Sequence, residues 1–191
     1  MVGAAGKLAG RVLTALLLAA TTIPASGAER LVAVGTCREG APNGAYELRM
    51  PDGRLRVAGA FAQGKKTGTF VFWTAGGARI AVVPYDDDSR TGTVARWYTK
   101  RSGHELGRRL EAPFRDNVLH GIERSWHANG AARSEMHYEH GALVSARAWN
   151  ESGSPVPEPQ AQSLAKQDAA VDERFLAELD ALVREHLPRC E

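Results

Sequence analysis

From Thr67, the stretch TGTFVFWTAGGARIAVVPYDDD sets two mainly apolar runs on either side of a glycine pair. From His120, HGIERSWHANGAARSEMHYEHG keeps the same skeleton but carries polar residues at many of those positions. Each unit is too short for two helices and suits two strands joined by a tight turn. Glycines set the period: Gly44, Gly68, Gly92 and Gly121 open successive units 24, 24 and 29 residues apart. Trp73, Trp97 and Trp126 each follow an opening glycine by five residues. Phe61, Tyr85, Phe114 and Tyr138 each precede the closing turn position by three, at Gly64, Asp88, Asn117 and Gly141. Agreement at so many offsets predicts a repeat architecture.

The turn sequences are MPDGR, TAGGA and HANGA. Pro51 cannot occupy a position of positive φ, so a three-residue loop suits the first: a type I turn, then Gly53 in the left-handed region. Applied to the fourth unit, that loop sets Trp126 opposite Ala132 and Ile122 opposite Met136, with Tyr138 on the same face. It also sets Glu123 opposite Glu135, a repulsive pair unless the local register differs or a cation sits there. In the second unit both faces read as apolar, Val71 and Trp73 on one, Phe70, Phe72, Ile80 and Val82 on the other. Trp73 and Trp97 are expected in the core.

After Gly153 the prolines of SPVPEPQ break the strand pattern, which predicts a linker over residues 156–162. One amphipathic helix is predicted over residues 163–187. Its stripe runs through Leu164, Val171, Phe175, Leu179, Leu182 and His186 and is widened by Leu176, Val183 and Leu187. Asp180–Arg184 and Glu185–Arg189 are spaced to pair on the solvent side. A single sheet needs cover on one face, so the helix is expected to lie against it. The fold class is therefore mainly β: an elongated antiparallel sheet of consecutive β-hairpins with one C-terminal amphipathic helix packed on it.

The motif at Gly121, Trp126, Asn129, Gly130, Tyr138 and Gly141 resembles the MORN-repeat variant, over roughly residues 41–155 of a repeat region spanning 29–155. That repeat occurs in bacterial proteins, some labelled antitoxins. The resemblance implies hairpins laid side by side in one antiparallel sheet.

Charge changes the picture at both ends. Residues 1–28 hold a basic start (Lys7, Arg11), the short apolar run Val12 to Ala20 and small residues before Ala28, the pattern of a signal peptide cleaved near Ala28. Secretion, or a periplasmic location, follows. Beyond it, residues 29–150 carry 18 basic and 13 acidic groups and residues 151–191 carry 4 and 9. With basic and acidic groups balanced in the mature chain, nucleic acid is not an expected partner.

The four histidines of the fourth unit do not converge in the expected register, and the Asp86–Asp88 run lacks the spaced ligands of a calcium loop, so no metal site is expected. No nucleophile motif appears, so no catalytic residue and no cofactor are assigned. The basic cluster in the third unit (Lys100, Arg101, Arg108, Arg109, Arg115) is the candidate partner surface. A non-catalytic scaffold that binds another protein in the cell envelope is the leading expectation. A module binding an envelope polymer, with peptidoglycan or lipid headgroups as ligand, is the alternative. Cys37 and Cys190 are expected to bond: a helix of about 25 residues, rising roughly 1.5 Å each, returns across a sheet of similar width.

Overall fold

The computed structural model describes residues 30–100 and 105–191. The predicted export segment and Arg101 lie outside the described residues. Twelve strands form one sheet: β1 (Val32–Arg38), β2 (Ala41–Arg49), β3 (Leu55–Ala62), β4 (Lys65–Trp73), β5 (Arg79–Asp86), β6 (Ser89–Arg90), β7 (Gly92–Thr99), β8 (Glu105–Arg115), β9 (Val118–Leu119), β10 (Gly121–Trp126), β11 (Ala132–Glu139) and β12 (Ala142–Ala148). Ten of them follow chain order across the sheet, all antiparallel, while the short β6 and β9 pair with β5 and β8. Among the described residues a single helix, α1 (Glu158–Glu185), follows.

Two turn types alternate along the chain. The turn after β2 has the expected three-residue loop: the Gly53 N–H donates to the Met50 carbonyl, and Gly53 has φ 88°. The same bond recurs from Gly77 to Thr74, Gly130 to His127 and Gly153 to Asn150. At the other end of the hairpins, consecutive residues both have positive φ, as at Gln63-Gly64 and His140-Gly141, the geometry of two-residue type I′ turns. Asp87-Asp88 and Asp116-Asn117 adopt it too, which is why Asp and Asn replace glycine there.

The register departs from the expected one by a recurring bulge. Trp126 does face Ala132, but Ser125 faces Ser134, which leaves Arg133 as an extra residue. Ile122 is therefore opposite His137 rather than Met136, and Glu123 is opposite Met136 rather than Glu135. The expected like-charge pair does not form. Ser125, not Trp126, shares the covered face with Tyr138. The same shift makes Arg56, Ile80 and Arg109 the extra, bulged residues of their hairpins. One extra residue reverses every later side chain, so Val82 stands opposite Val71, and Ala81 and Val83 pair with Phe72 and Phe70.

Helix α1 crosses the strands from last to first. Its start packs Ala161 and Ala165 on Met136, Tyr138, Ala146 and Ala148. Its end packs Leu176, Leu179 and Val183 on Tyr46, Phe61, Phe70 and Tyr85. Gly59 gives the Phe70 ring its place, because a Cβ there would stand 2.6 Å from that ring. The helix begins at Glu158, five residues before the predicted start, with Pro157 as its N-cap and Pro159 in its first turn. Proline lacks only a donor that the first turn leaves unused, so these prolines start the helix instead of forming a linker. The buried stripe is also rotated: Ala161, Ala165, Leu176, Leu179 and Val183 are buried, whereas Val171 is 46% exposed.

Cys37 and Cys190 are joined in a disulfide across 153 residues, with Cα atoms 5.6 Å apart. The bond is compatible with an oxidising compartment. It ties the chain beyond the helix to the first strand.

Candidate functional site

Two places bring chemistry together, one on each face of the sheet. On the outer face, away from α1, no described element covers the strands. Val71 and Val82 pair across β4 and β5, and Trp73 and Trp97 lie one turn end further along. Trp73 and Trp97 are half-buried, outside the core. The bulge leaves them on the uncovered face, and buried Phe70, Phe72 and Val94 take the covered one. Arg79 and Arg108 sandwich Trp97, their guanidinium carbons 3.9 and 4.7 Å from its ring centroid. Arg79 also pairs with Glu105 at 3.0 Å. Toward β12 the same face becomes a charge ladder: Glu111, Arg124, Glu135 and Arg147 stand opposite one another on successive strands. Glu135 accepts from Arg124 at 3.2 Å and from Arg147 at 2.6 Å.

The basic cluster expected as a partner surface is dispersed. Arg108 stands on the outer face, against Trp97 and Glu111. Arg109, as the bulge residue, turns under the helix, 3.8 Å from Asp172. Lys100 and Arg115 are exposed toward opposite ends of the β7–β8 hairpin, separated by about 30 Å of strand. Of the four histidines, His120 and His140 meet at a ring distance of 5.0 Å. His127 instead bonds the Trp149 carbonyl, and His137 lies 4.0 Å from Glu139.

Under α1, the acidic tail meets the basic body through specific pairs. Asp180 binds Lys66 and accepts a 2.6 Å bond from the Tyr85 hydroxyl, so it faces the sheet rather than Arg184. Glu173 pairs with Arg90, Asp172 with Arg96, and Asp168 with Arg133 through two bonds. Arg96 lies 3.5 Å over the Phe175 ring. Burial, then the neighbouring Arg109, push its pKa down to about 9, which leaves it charged at neutral pH.

Between the two apolar clusters, the Arg133–Asp168 pair and Asp172 border a polar cavity of about 180 Å³, which is also lined by Tyr98, Arg109, Leu110, Glu123, Ser125 and Trp126. The Tyr98 hydroxyl donates to the Trp126 carbonyl at 2.9 Å, and Ser125 and Ser134 share a bond of 2.5 Å. Glu123 is 5% exposed and has neither a hydrogen bond nor an ion pair among the described residues. Burial, reinforced by Asp168 and opposed by Arg133, pushes its carboxyl up to about 7. Sequence reasoning flagged Glu123 only as half of a pair that does not form. The signal that identifies it is its repeat position, which is Tyr46, Phe70 and Val94 in the earlier units.

No protein-family model matches this sequence, and no curated protein matches it.

Proposed function

We propose that this chain is an exported, non-catalytic repeat protein whose outer sheet face binds another protein in the cell envelope. The observation that carries the reading is the makeup of that face: the half-buried Trp73 and Trp97, the latter stacked with Arg79 and Arg108, beside a ladder of alternating charge. Tryptophan and arginine dominate the energetic centres of protein interfaces. Alternating charge discriminates between protein partners, whereas an anionic polymer or lipid surface is better served by one sign. Here the outer-face arginines are already matched to Glu105, Glu111 and Glu135. The disulfide and the signal-like start both support export. The glycine, tryptophan and turn offsets support a place in the MORN-repeat-variant family, in which the antitoxin label is not part of this reading.

A photo-reactive side chain tests the reading when placed at Thr93, exposed on the outer strand surface, and separately at Lys166, exposed on the helix. In intact envelopes a defined protein adduct is expected from Thr93, absent from Lys166 and lost with Trp97→Ala. Cosedimentation with peptidoglycan or anionic vesicles, without a protein adduct, would support the polymer-binding alternative instead.

A further inference from the structure

Glu123 opens onto two cavities. Besides the polar one, it lines an apolar cavity of about 210 Å³ with Val94, Leu110, Phe114, Ala169 and Leu176, and Leu110 and Asp172 border both. Every other charged group named under the helix has an ion pair, whereas Glu123 has neither ion pair nor hydrogen bond among the described residues and feels Arg133 only through space. A buried carboxylate without a partner is costly, and its site is completed by a cation or a strong donor. Asp168 and Asp172 are held by arginines, so the carboxylate open to a ligand is that of Glu123.

We propose that the space under α1 is a small-molecule site that takes an apolar amine, its ammonium on Glu123 and its hydrocarbon body between Leu110, Phe114 and Leu176. The size fits: dry cavities of about 150 Å³ hold a benzene ring. The polar side gives the head its orientation. Arg133 is engaged twice by Asp168 and cannot swing to Glu123 without breaking that fork. The proton equilibrium of Glu123 supports the assignment, because a carboxyl titrating near neutrality ionises when a cation arrives. The site is separate from the outer face, and either can fail without the other.

The test uses phenethylamine as probe on the full oxidised protein, by calorimetry and by amide chemical shifts. Saturable binding is expected at about pH 8, weaker by at least about tenfold near pH 5.5, where Glu123 holds its proton. Glu123→Gln preserves shape and is expected to weaken binding at least about tenfold at pH 8. Ala169→Leu fills the apolar side and is expected to abolish it with the carboxyl intact. Phenethylamine bound equally by Glu123→Gln, no saturation below about 10 mM, or preferential binding of phenylacetate would each overturn the proposal. Preference for phenylacetate would make Arg109 the anchor.

Discussion

In β10, the second residue after the opening glycine is Glu123, where the earlier units place Tyr46, Phe70 and Val94. The groups around its carboxyl are Arg133 from β11, Asp168 and Asp172 from α1, Tyr98 from β7 and Arg109 from β8. Tyr138 also feels its charge, although burial is the larger reason that its hydroxyl is held well above the usual range. Because the folded Glu123 pKa lies above its unfolded value, the folded protein keeps a proton that the unfolded chain releases. The resulting stability is fully present below about pH 4.5 and is lost as pH rises through about 7. Glu123→Gln is therefore expected to raise unfolding free energy at pH 8 by on the order of 3 kcal/mol and by almost nothing at pH 4. Urea unfolding of both proteins across that range checks it, and a gain independent of pH would contradict it. Trp97 illustrates the opposite outcome. An aromatic at strand spacing reads as core, yet its position relative to the bulge puts it outside, where two arginines cover its ring.

At the scale of elements, α1 is held by apolar contacts at both ends and by ion pairs in between. Arg133 and Asp168 are the central pair, with side chains 26% and 19% exposed. Removing the two partners should not cost the same. Arg133→Ala leaves Asp168 beside Glu123, two carboxylates with no cation bridging them. Asp168→Ala leaves Arg133 next to Glu123, which then becomes its counter-ion. Expected losses at pH 8 are about 3 kcal/mol for Arg133→Ala and about 1 kcal/mol for Asp168→Ala. Denaturant midpoints of the two variants measure the difference, and equal losses would show that Glu123 does not couple to the pair. The same asymmetry explains why the helical stripe was misplaced from sequence. Asp168 and Asp172 lie on the sheet-facing side, and a hydrophobic periodicity cannot place a buried aspartate whose arginine is supplied by another element.

Across the whole molecule, length matching decides where the ends meet. Ten strands in order span about 43 Å at 4.8 Å each, and 28 helical residues rise about 42 Å. The helix therefore ends over β2, where the Tyr46 hydroxyl donates to the His186 carbonyl at 3.0 Å, and Cys190 reaches Cys37. Replacing both cysteines by serine is expected to lower stability by about 4–5 kcal/mol at most, by chain-entropy reasoning. Hydrogen exchange should then accelerate first in β1 and in the last turn of α1, because among the described residues β1 is an edge strand paired only with β2. Uniform acceleration across the sheet would count against this local role.

The sequence by itself determined what is local and repeated. Glycines recurring every 24 to 29 residues, Pro51 in one loop and Gly130 in its counterpart specify hairpins and their turns, since positive φ and a missing donor act within a few residues. The two cysteines and the one long amphipathic segment likewise specified a return path, because chain length and helical rise set its reach. Tertiary structure alone decided the faces. A single bulge residue, such as Arg133 or Arg109, reverses the alternation beyond it, and although Arg56, Ile80 and Arg133 each fall three residues after a turn glycine, the alternation of apolar and polar residues does not by itself show that the register slips there. It also decided which charges are buried. The partners Arg96–Asp172 and Arg133–Asp168 lie 76 and 35 residues apart, and each charge is tolerated under the helix only because the other has been brought there.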